Sequence, residues 1–179
     1  MKKDQPIIEL FFNEPTKHWH FEEILKEAKI SRPQAAHWLN VFVKESLIQK
    51  IKPKRKMPYY VSNYNHPNYQ IKKKLFALQK MEHTGFLSHL TKLKAKTIII
   101  FGSFSRWDWY KGSDIDLFIY GGEEPDLSTY RQKLNREIQV FTAKTKQDLK
   151  KIHAGLLQNI LEGYRVKGSF DFVEVKAHA

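Results

Sequence analysis

One stretch constrains the chain more than any other: residues 97–120, TIIIFGSFSRWDWYKGSDIDLFIY. Thr97–Phe101 is apolar and β-branched, which reads as a buried strand. Gly102-Ser103 breaks that strand and begins a short helical or looped segment. A second turn, Lys111-Gly112-Ser113, leads into another strand, Asp114–Tyr120, whose first residues alternate two carboxylates with apolar positions. Strand side chains alternate between faces, so Asp114 and Asp116 project from one face, roughly 7 Å apart along the strand. Two acids so placed, beside a glycine turn that exposes backbone N–H groups, suit a divalent cation bridging to phosphate oxygens.

The 179 residues can hold one domain or two small ones, and the apolar content, 41% with 12 Phe, 8 Tyr and 4 Trp, is enough for packed interiors. The absence of cysteine excludes disulfides and thiolate metal sites and fits a cytoplasmic protein. The N-terminal MKKDQPIIELFF lacks the uninterrupted apolar core of a signal peptide, and no run approaches the ~20 apolar residues of a membrane span. The formal charge of +12 is unevenly spread: +5 over residues 1–70, +6 over 71–96 and +1 over 97–179. A basic excess outside the acid-bearing part points to a polyanionic partner, nucleic acid above all, or to a solvated surface.

From the N-terminus, the pattern predicts a helix over Lys3–Asn13 with Ile7, Ile8, Leu10, Phe11 and Phe12 inward, ended by Asn13-Glu14-Pro15. A second helix follows over His20–Ala28. A third starts at Ser31, whose capping box with Gln34 tolerates Pro33 in the first turn, and runs to about Glu45 with Ala35, Leu39, Phe42 and Val43 facing in. Short strands at Leu47–Lys52 and Tyr59–Val61 flank a basic loop. Helix, helix, turn, helix and β-hairpin is an order that resembles a winged helix-turn-helix. That resemblance implies double-stranded DNA as partner, with the third helix in the major groove and the wing along phosphates. Lys52, Lys54, Arg55 and Lys56 fit phosphates, and Arg32, Gln34, His37 and Asn40 fit base edges. Other readings stand beside these: Gln34 completes the cap, His37 is a surface residue, Tyr59 and Tyr60 pack the wing, and the module binds protein rather than DNA.

Asn65-His66-Pro67 marks a boundary, so the expected domains are 1–66, a linker helix over 67–95, and 96–179. The linker carries an apolar stripe at Ile71, Leu75, Leu78, Phe86, Leu90 and Leu93, kinked or divided at Gly85, which packs onto the domains or serves a homodimer. Beyond Tyr120 the pattern gives a helix at Asp126–Leu134, a strand at Glu137–Thr142, a capping box from Thr145 to Asp148, a helix through Leu156–Leu161, a short strand at Gly163–Val166 and a terminal helical turn at Phe170–Val175. The fold class is α+β.

GSFSRWDWYKGSDIDLFIY resembles the signature of minimal nucleotidyltransferases of the DNA polymerase β-like superfamily: Gly-Ser, then Ser-Asp-x-Asp on the next strand, eleven residues from Gly102 to Ser113. Ser105-Arg106 matches the small residue and arginine that commonly follow, while Trp107 stands where the family usually has glycine. The resemblance implies a small mixed sheet with helices and transfer of a nucleoside monophosphate from a nucleoside triphosphate to an acceptor hydroxyl. It implies Mg²⁺ or Mn²⁺ on Asp114 and Asp116, and triphosphate contacts from Gly102, Ser103, Ser105, Arg106 and Ser113, Arg106 being equally suited to an ion pair with Asp108. The family's third acid belongs on Glu137–Thr142, where the best register puts Gln139 in its place and Glu137 two residues earlier on the same face. An inactive or weak, nucleotide-sensing DNA-binding regulator is the alternative. Small family members also act as antitoxins, which implies a helical toxin-type partner.

Overall fold

The structure is a computed structural model, and it describes residues 4–170. The chain divides into two compact units, Met1–Leu75 with Trp109–Lys111, and Phe76–Asp108 with Gly112–Ala179.

In the first unit the helices are α1 (Gln5–Asn13), α2 (Phe21–Ala28) and α3 (Arg32–Lys44), followed by an antiparallel hairpin of β1 (Ile48–Ile51) and β2 (Tyr59–Ser62). The apolar positions at three- and four-residue spacing turn inward: Ile7, Ile8, Phe11, Phe12, Ile24, Ala35, Leu39 and Phe42 are buried. Trp19 is buried too, joined to Tyr60 of the hairpin by two backbone hydrogen bonds of 2.8 Å. Val43, expected inside, is 37% exposed. It lies one position past Phe42 on a helix whose inward stripe is already filled, and 100° of rotation carries it to the rim. Trp109–Lys111, which the sequence places at the end of the helical or looped segment and the start of the turn at Lys111-Gly112-Ser113, joins this unit: Trp109 meets Phe12 edge-on at 6.1 Å, and the Lys111 N–H donates to the Asn13 carbonyl at 2.8 Å.

α4 (Pro67–His83) carries residues of both units. Its expected stripe is displaced: Ile71 and Leu75 are 60% and 50% exposed, whereas Tyr69, Lys73, Phe76, Ala77 and Met81 are buried. Repetition at three and four residues specifies a face, and α4 carries two overlapping apolar faces of which aromatic bulk takes the inner one. Gly85, at φ 78°, separates α4 from α5 (Phe86–Lys92), as a residue free of a Cβ can.

The second unit is a four-stranded sheet in the order β5-β4-β3-β6. β3 (Thr97–Phe101) is antiparallel to β4 (Ile115–Tyr120) and to β6 (Tyr164–Lys167), and β4 is parallel to β5 (Ile138–Ala143). Between the strands run α6 (Ser103–Arg106), α7 (Ser128–Leu134), α8 (Lys146–Leu149) and α9 (Ala154–Leu161). Both sheet faces are covered, so the central strands are apolar on both sides. On one face Ile98, Ile100, Leu117 and Ile119 pack with Phe86, Leu90, Leu127 and Leu134. On the other Ile99, Phe101, Phe118 and Tyr120 pack with Ala143, Leu149 and Ile160. α5, placed by sequence in a linker, thus supplies core residues to this sheet. The capping boxes at Ser31–Gln34 and Thr145–Asp148 are both formed. The helical turn expected at Phe170–Val175 lies outside the described residues. Among the described residues no helix is long and apolar enough to cross a membrane.

Candidate active site

Gly102 follows the last residue of β3 and turns the chain into α6 with φ 69° and ψ −146°, a conformation nearly restricted to glycine. A Cβ there would overlap Asp116 Oδ2, so the absence of a side chain is what lets the turn lie against the carboxylate. The register explains the meeting. Phe101, at the end of β3, pairs with Asp116 of β4, which puts the exit of one strand beside the entry of the other.

Asp116 shares its sheet face with Phe118 and Tyr120, and Asp114 lies just ahead of β4, exposed at the strand mouth. Burial pushes the Asp116 carboxyl above its ordinary value, the Asp114 charge pushes it further, and Arg106 partly offsets both. The two acids and Arg106 therefore act on one locus. Arg106 also donates through Nε to Asp108 Oδ2 at 3.3 Å, as an exposed ion pair. The Ser105 hydroxyl donates to the Gly102 carbonyl at 2.9 Å and braces the turn, while Ser103 opens α6. Trp107, at the position where the motif usually has glycine, has φ 66°, so the left-handed conformation persists without the residue that adopts it freely.

Sequence reasoning missed Arg136. Its guanidinium donates to the carbonyl of buried Ser113 at 3.1 Å and stands 5.4 Å from the centre of the Phe104 ring in α6. One side chain thus ties the turn after β3 to the approach of β4; its place beside Glu137, just ahead of a strand, was the only signal. The Ile115 N–H, donating to the Glu137 carbonyl at 2.9 Å, completes the brace.

On β5, Gln139 pairs directly with Asp116. Glu137 precedes the strand, its carboxylate 77% exposed and 3.7 Å from Arg131 Nε. Among the described residues no three His, Cys, Asp or Glu side chains are gathered as one metal-ligand group, so Asp114, Asp116 and Glu137 are not brought together as a triad. The donor set is two carboxylates at a glycine turn, hard oxygens that fit Mg²⁺ or Mn²⁺ when phosphate oxygens and water complete the shell.

In the first unit, Lys52, Lys54, Arg55 and Lys56 are exposed between β1 and β2. His37 and Asn40 are exposed on α3, His37 edge-on to Trp38 at 5.0 Å. Arg32 is drawn to Glu22 at 2.6 Å, and the Gln34 amide oxygen accepts from the Ser31 hydroxyl at 3.1 Å. Tyr60 is buried and Tyr59 stacks on His18 at 4.1 Å, so both pack the hairpin.

The sheet, the glycine turn and the acid pair define a small α+β domain built around an acid-bearing strand mouth. Residues 86–175 match the model of the family described as polymerase beta, nucleotidyltransferase, which is half of the chain, and the protein belongs to that family. The match begins at Phe86, the first residue of α5. No curated protein and no solved structure matches the chain.

Proposed function

We propose that the protein transfers a nucleoside monophosphate from a nucleoside triphosphate to an acceptor hydroxyl, and that its N-terminal unit is a winged helix-turn-helix that binds double-stranded DNA. The observation that carries the first part is Gly102 seated against Asp116, within the field of Asp114 and Arg106. Asp114 and Asp116 would hold Mg²⁺ or Mn²⁺, which when bound neutralises charge developing on the triphosphate. The bend at Gly102 brings backbone close to the phosphates, and the Ser103 hydroxyl and Arg106 add hydrogen-bonded contacts. Arg136 positions these groups before substrate arrives, and such positioning supplies most of the catalysis in phosphoryl transfer. The hairpin lysines and Arg55 support the DNA reading as an exposed cationic edge next to α3.

A second reading is favoured by Gln139. The residue opposite Asp116 is neutral and takes no proton from an acceptor hydroxyl, so the domain binds nucleotide and the chain works as a DNA-binding regulator. Incubation with labelled triphosphates and Mg²⁺ or Mn²⁺ separates the two. Label transfer that disappears when Asp114→Asn and Asp116→Asn are combined supports transfer. Nucleotide binding with no transferred label, in a chain that still binds DNA, supports the regulator.

A further inference from the structure

In the first unit, α2, α3 and the hairpin enclose a cleft of about 350 Å³, in the size range of small-ligand sites and outside the machinery of the acid pair. Its lining divides by chemistry. Apolar lining comes from Phe21 of α2, Ala36 of α3, and Met57 and Pro58 of the hairpin turn; Met57 is 74% exposed, a large apolar side chain with little cover. Basic lining comes from exposed Lys50 and Lys52, on the same hairpin as Met57 and Pro58, the Lys50 ammonium lying 5.4 Å from the centre of the Tyr60 ring. Asn40 adds an amide that both donates and accepts. The acid in the lining, Glu22, is already held by Arg32, so the cleft keeps the positive character of its lysines.

Apolar side chains, two ammonium groups and one amide complement a flat heterocycle carrying a phosphate. We propose that this cleft binds a single nucleotide presented by an unpaired strand end, its base on Met57 and Pro58, its phosphate on Lys50 and Lys52, its edge on Asn40. Inside a blunt duplex each base is covered on both faces by its neighbours, whereas an unpaired terminal base has a face to offer. The inference rests on the reading of the N-terminal unit as DNA-binding, with which it shares Asn40 and Lys52, and not on nucleotidyl transfer, since no residue of the acid site takes part.

The test uses the full chain and fluorescence anisotropy with a short labelled duplex, either blunt or carrying an unpaired tail. The tailed duplex binds about tenfold more tightly, as one stacked base allows. Ala36→Leu, which fills the cleft without changing charge, and Met57→Ala, at an exposed position, each bring the ratio of the two affinities toward one. A free nucleoside monophosphate that competes with the tail in the unsubstituted chain and not in Ala36→Leu shows that the mononucleotide is the unit recognised. Equal affinity for tailed and blunt duplexes, or a preference that survives both substitutions, overturns the proposal. Failure of the blunt duplex alone to bind, with the tailed one still bound, counts against the duplex reading and for the cleft.

Discussion

At the scale of single residues, Gly102 and Asp116 are a pair in which each explains the other. The carboxylate is half-buried because the turn lies on it, and the turn lies on it because position 102 has no side chain. Gly102→Ala forces both the overlap and a φ of 69° on an L side chain, so a loss of about 1–3 kcal/mol is expected in denaturant melts, together with loss of triphosphate binding. Asp116→Asn acts in the opposite direction on stability. The native pKa of Asp116 lies above its unfolded value near 3.8, so the group favours folding below that value and loses this contribution as pH rises through the native pKa. Asp116→Asn is therefore expected to melt at a higher temperature than the unsubstituted chain at neutral pH, with the gap closing on acidification. A midpoint that falls at neutral pH would show that the carboxylate is stabilised by its surroundings. Stability given up for a charged site is a common feature of functional positions.

Among the elements, α5 and β5 carry the consequences. The stripe at Phe86 and Leu90 was readable as a helix, yet a stripe does not say which core it joins. In the structure that core is the face of the sheet built by Ile98, Ile100 and Leu117, and the family match begins at the same helix. Phe86→Ala should therefore cost about 3–5 kcal/mol, measured by chemical denaturation, where a bridging helix would lose far less. On β5 the strand and its alternation were legible, and so was Gln139 as the residue in register with Asp116. The direction taken by Glu137 was not, because it depends on Arg131, which reaches the start of β5 from α7.

Taken whole, the molecule separates its charge from its acids. Residues 1–96 hold 19 of the 31 Lys and Arg and 8 of the 19 Asp and Glu, so the Asp114–Asp116 pair sits in the nearly neutral remainder. A protein using Lys52, Lys54, Arg55 and Lys56 on four phosphates has a slope of log affinity against log salt near −3.6, at about −0.9 per phosphate. Replacing all four by alanine should bring that slope toward zero in a salt titration of duplex binding. A slope unchanged by the substitution would move the contact elsewhere, and the lysines of α4 and α5 would be next to examine.

Spacing and alternation alone determined the strands of the acid-bearing stretch, the glycine between them, the two capping boxes and the hairpin, because each follows from local geometry and a short repeat. Tertiary structure decided which face of α4 is buried, that α5 belongs to the sheet, that Arg136 braces the turn after β3 and that Trp107 keeps a left-handed backbone. Those outcomes depend on partners far away in the chain, and a side chain's own residue type carries no record of what it will meet.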